Sequence, residues 1–60
     1  MRKFIEVHDK DGSLVFVNID QILCVMEVGN VVVIEFSTHE LEVSETYHQV
    51  RDAIRNTERK

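Results

Sequence analysis

The chain contains no proline, only two glycines and a single cysteine among its 60 residues. Without proline or a glycine- or serine-rich stretch there is no linker, and residues 1–60 read as one domain. One cysteine, Cys24, excludes an intramolecular disulfide. Its place in the apolar run Ile22-Leu23-Cys24-Val25-Met26 suggests a buried, reduced thiol, which fits a cytoplasmic location. No apolar run nears the roughly 20 residues of a membrane-spanning helix, and Met1-Arg2-Lys3-Phe4-Ile5-Glu6 reaches glutamate before any hydrophobic stretch forms. Neither a signal peptide nor a membrane contact is expected. Cations are outnumbered, 7 against 11 acidic residues for a net charge of −4, which weakens nonspecific attraction to phosphate backbones and anionic lipid.

Catalytic signatures are missing as well. There is no glycine-rich phosphate loop, no serine elbow and no pair of carboxylates that would share a cleft. A Cys–His nucleophile pair needs a partly exposed thiol of lowered pKa, whereas Cys24 is expected among apolar neighbours that raise it. His8, His39 and His48 fall at a strand end, in a turn and on a helix, and no two have metal-ligand spacing. Asp9-Lys10-Asp11-Gly12 resembles part of a calcium loop, but Val7 stands where a further acid is needed and strands flank the segment. It reads as a hairpin turn. No catalytic residue, cofactor or metal is expected.

What is present is β-pattern. Lys3-Phe4-Ile5-Glu6-Val7-His8 and Leu14-Val15-Phe16-Val17 are β-branched and aromatic, and Asp9-Lys10-Asp11-Gly12 connects them with a glycine for positive φ and aspartates for the turn amides. Asn18-Ile19-Asp20-Gln21 is a polar break with one apolar anchor. A third strand over 22–28 and a fourth over 31–36 flank Gly29-Asn30, the sequence of a two-residue hairpin loop. Thr38-His39-Glu40 turns into a short fifth strand, 41–43. Ser44 is the expected N-cap of a helix from about residue 45 to about 57. In that helix Tyr47, Val50, Ala53, Ile54 and Thr57 share a face, while Gln49, Asp52 and Asn56 look outward. The expected fold class is α+β: a small antiparallel sheet of about five strands, a meander of hairpins, followed by one C-terminal helix.

A two-residue turn at Gly29-Asn30 sets Val28 opposite Val31, and period-two alternation then writes out both faces of the hairpin. One face carries Leu23 and Val25 with Val32, Ile34 and Phe36, broken by Glu27. The other carries Ile22, Cys24, Met26 and Val28 with Val31 and Val33, broken by Glu35 and Ser37. An antiparallel sheet with one wet side should alternate apolar with polar, and this one does not. A single helix covers one face. Either the first hairpin curls over the second, making a small barrel or roll, or another copy of the chain does. The second alternative also explains how so short a chain, which buries only about 60% of its unfolded surface, reaches stability. The expected partner is therefore a second copy in a dimer or larger homo-oligomer, two-fold dimers being commonest. Nothing identifies any other protein partner.

His48, Arg51, Arg55 and Arg59 recur at near-helical spacing, and arginines on one helix face can contact successive phosphates. Asp52 and Glu58 lie beside them, the four aromatic residues are scattered rather than gathered into a stacking platform, and the helix dipole by itself favours late basic residues. The stripe therefore reads first as a solvated face, with nucleic-acid binding as the alternative.

The order of features resembles the small bacterial proteins of the FlbD family, associated with flagella and swarming motility, over nearly the whole chain from Phe4 to Ile54. The resemblance rests on the Asp11-Gly12 turn, on Val17-Asn18-Ile19-Asp20-Gln21-Ile22, on Val31-Val32-Val33-Ile34-Glu35-Phe36, and on Leu41-Glu42-Val43-Ser44-Glu45-Thr46-Tyr47 running into Val50 and Ile54. It implies a small regulatory or accessory module with no enzymatic site.

Overall fold

Both chain reversals that need a positive φ fall on the glycines, Gly12 at 88° and Gly29 at 61°. In the computed structural model, which describes residues 3–58, strands β1 (Phe4–His8) and β2 (Leu14–Asn18) pair antiparallel around the first turn. Asp9 organises that turn: its Oδ1 accepts from the amides of Asp11 and Ser13, both at 2.9 Å, and its carbonyl accepts from Gly12 N at 3.0 Å. These are the local bonds that make aspartate a turn residue. A 3-10 turn over Ile19–Gln21 then leads into β3 (Ile22–Val28), with Ile19 buried as its anchor and Asn18 Oδ1 accepting from Asp20 N at 3.0 Å.

β3, β4 (Val31–Phe36) and β5 (Glu40–Val43) form a second antiparallel sheet in that order. Val28 faces Val31 across Gly29-Asn30, as the turn dictates. Positive φ at the first central residue alone is the signature of a type II′ turn. The two sheets meet at a corner, where Asp9 bridges to Val43 and Ser44 N donates to the His8 carbonyl at 2.8 Å.

One core lies between them. Ile5 and Val7 from β1, Val17 from β2, Ile19, Val32 and Ile34 from β4, Val43 from β5 and Val50 from the helix make a single buried cluster. The first hairpin and helix α1 (Tyr47–Glu58) thus cover the same side of the three-stranded sheet. The alternative in which the first hairpin closes over the other face does not form: Ile5, Val7 and Val17 pack in one cluster with Val32 and Ile34, so the hairpin lies on the side those two residues face. Each such side chain contributes about 1.5–3 kcal/mol on burial.

Three local expectations need correction. The register holds from Val28↔Val31 back to Cys24↔Glu35, but a β-bulge then pairs Ile22 with Phe36. The extra residue, Leu23, stands 65% exposed, and Ile22 turns inward against the core. Ile22 therefore leaves the outward face to which simple alternation assigns it. Cys24 is exposed, not buried, because nothing among the described residues covers its side of the sheet. The helix begins two residues late: Thr46 rather than Ser44 caps it, with Thr46 Oγ1 accepting from Gln49 N at 3.1 Å and Gln49 Oε1 accepting from Thr46 N at 2.9 Å. This reciprocal pair is a capping box.

Ser44 and Glu45 are engaged elsewhere. Glu45 accepts from the His8 amide at 2.9 and 3.0 Å through its two oxygens, and His8 Nδ1 lies 2.7 Å from Oε2. Partial burial pushes the Glu45 carboxyl up, but the ring and backbone bonds from His8 outweigh it and hold the group below its ordinary value of 4.5. A depressed folded-state value means stabilisation that is present above the ordinary value and lost as pH falls through the folded one. Thermal unfolding followed from about pH 6 to about pH 3 should show wild type more stable than Glu45→Gln at the upper end, the gap closing as acid protonates the carboxylate. A gap of constant size across that range would remove the ionised clasp as its cause.

Candidate functional site

The outward face of the three-stranded sheet is where the structure leaves apolar surface uncovered. Cys24, Met26 and Val28 on β3 stand opposite Glu35, Val33 and Val31 on β4. Among the described residues, Val28 is 61% and Val31 40% exposed, and Met26 and Val33 are half-buried. Five of the six residues expected on this face share it; Ile22 does not.

Beyond β4 the face changes character. Glu42 lies opposite Val33, and Glu40 lies directly opposite Glu35. Like charges facing each other across a ladder cost about 0.2–1 kcal/mol. The result is a shallow depression of about 330 Å³ with Met26, Val28, Val31 and Val33 on one side and Glu40 and Glu42 on the other.

Cys24 sits at the edge of this acidic group. Its Sγ donates to Glu35 Oε1 at 3.2 Å, and its thiol is pushed above the ordinary 9.0 by that hydrogen bond first, then by desolvation and the charges of Glu35 and Glu40. Such a thiol is a poor nucleophile at neutral pH. Glu35→Gln should lower the thiol toward its ordinary value and speed alkylation of Cys24 several-fold at mildly alkaline pH, read by mass spectrometry against time. An unchanged rate would separate the carboxylate from the thiol's behaviour.

The basic stripe is partly assembled. Arg51 and Arg55 line a groove of about 240 Å³ between α1 and β3, together with Tyr47, Ile54 and Val25. Tyr47, expected on the buried face, is 36% exposed at the rim. His48 is exposed and contacts the Tyr47 ring edge-on, with centroids 6.4 Å apart, but does not line the groove. Arg59 lies outside the described residues. Arg51 Nε is 3.5 Å from Asp52 Oδ1, too poorly placed for a hydrogen bond, and is shut off from solvent. Neither guanidinium donates a hydrogen bond to an acceptor within residues 3–57, and the one acid near Arg51 among them is Asp52.

The three histidines stay apart. His8 is held by Glu45, His39 stacks on Phe36 with centroids 4.7 Å apart, and His48 is on the helix. A second exposed apolar group, Phe4, Leu14 and Phe16, lies on the outward side of the first hairpin and is not among the faces expected from sequence. Its signal was there: Phe4-Glu6-His8 and Leu14-Phe16-Asn18 alternate out of phase with the buried Ile5, Val7 and Val17.

No family model matches the chain, and neither a curated protein nor a solved structure matches it. No helix among the described residues is long and apolar enough to cross a membrane.

Proposed function

We propose that the chain is a noncatalytic interaction module that self-associates through the outward face of β3, β4 and β5, centred on Met26, Val31 and Val33. The observation that carries this is the side chain inventory of that face: contiguous apolar residues on two paired strands, with Val28 and Val31 exposed at the hairpin end. Exposed apolar patches rimmed by polar residues mark interaction surfaces. A 60-residue chain also gains from sharing a core, since binding to the folded state alone stabilises it by mass action. The resemblance to the FlbD family supports the regulatory or accessory character of such a module.

Sedimentation of wild type and Val33→Glu across micromolar concentrations tests the reading. Wild type should assemble and the variant should not. A folded Val33→Glu chain with wild-type sedimentation would refute the interface.

A further inference from the structure

Resting on the proposed self-association, we infer that the outward sheet face docks onto the helix groove of a second copy, so that copies join head to tail. The two surfaces complement each other in both apolar character and charge. The sheet face offers Met26 and Val33 beside Glu40 and Glu42. The groove offers Val25 and Ile54 beside Arg51 and Arg55, with Arg51 Nε 3.5 Å from Asp52 Oδ1. Each surface is thus a hydrophobic strip whose charged lining residues share one sign, and the signs are opposite; Asp52 beside Arg51 offsets part of the groove's charge.

The alternative, face against face about a two-fold axis running across the strands, lays β5 on β5 and brings Glu40 and Glu42 of one copy toward the same pair of another, in a chain whose net charge is already −4. Like-charge juxtaposition across an interface costs several kcal/mol. Docking on arginines turns the same carboxylates into an attraction and relieves the unfavourable Glu35–Glu40 pairing.

Geometry makes the contact propagate. Val25 and Met26 are neighbours on β3 with side chains on opposite sides, so the groove and the sheet face lie back to back across one strand. A copy that docks its groove still presents its face. Heterologous contacts of this kind close into rings or continue as filaments.

The test is charge exchange in the full chain, with mass measured by sedimentation and folding by circular dichroism. Arg51→Glu/Arg55→Glu and Glu40→Arg/Glu42→Arg should each weaken assembly at least about tenfold in midpoint concentration, while an equimolar mixture of the two restores it. Raised salt should weaken the wild-type assembly. Should the arginine reversal disturb folding, Arg51→Gln/Arg55→Gln serves in its place, with a smaller loss. Assembly that survives the arginine substitutions but fails with Val33→Glu overturns the head-to-tail contact and leaves self-association standing. Loss with Phe16→Ser but not with the arginine variants does the same and moves the partner surface to the first hairpin. A monomeric wild type at every concentration overturns both readings. Retention on mixed DNA or RNA that the arginine variants abolish, with no change in mass, gives the groove to nucleic acid and overturns the contact.

Discussion

Ile34→Ala is expected to remove about 3 kcal/mol of stability, the largest loss from any single truncation in this chain. Ile34 has 0% exposure and lies on the central strand, with Val25 on one side and Leu41 on the other. Truncation forfeits the transfer energy of the lost carbons and adds a cavity term, because strands held on both sides collapse little into the space. The core of so small a domain rarely supplies more than about 3–5 kcal/mol, so the variant should sit near its unfolding transition. Urea denaturation reads this as a fall in midpoint with little change in slope. If assembly is linked to folding, raising the protein concentration should recover part of the lost midpoint. An unchanged midpoint would place the centre of the core elsewhere.

The ladder that holds Ile34 was legible from Gly29-Asn30 onward. A two-residue turn fixes the register, and alternation then separates Val32 and Ile34 from Val31 and Val33 on pattern alone. Two kinds of feature were not legible. The bulge at Leu23 shifts one residue in one strand, and nothing in the uniformly apolar run Ile22-Leu23-Cys24-Val25-Met26 distinguishes the residue to be left out; Ile22 and the exposure of Leu23 follow from that choice. The start of the helix depends on a tertiary contact: Ser44 and Glu45 have the chemistry of an N-cap and first turn, but His8, 37 residues before Glu45, takes the carboxylate, and the capping box moves to Thr46 and Gln49. Local propensity is a weak prior when such a long-range bond competes. The groove of Arg51 and Arg55 was half visible, as helical spacing without its apolar floor, because the floor residue Val25 belongs to another element.

Val33→Glu, one residue from Ile34, is expected to leave the fold intact and abolish assembly. Val33 points to the opposite side of the sheet, where a glutamate remains solvated in the monomer; its main cost there is the like charge of Glu42 across the ladder, about 1 kcal/mol or less. In the assembled state the same carboxylate would be taken from water into apolar surroundings, which costs several kcal/mol unless it is paired. At about 1.4 kcal/mol per tenfold, association should weaken by roughly 100-fold or more. Val33→Thr, which keeps the β-branched shape and adds no charge, should show a weaker loss in the same direction. Val32→Glu supplies the contrast, since it forces a carboxylate into the core and should unfold the chain. Opposite outcomes for neighbouring valines distinguish a surface used for association from general fragility of β4. If Val33→Glu stays folded and assembles like wild type, the outward face is not the interface; if both variants unfold, β4 is fragile throughout and Val33→Thr carries the comparison.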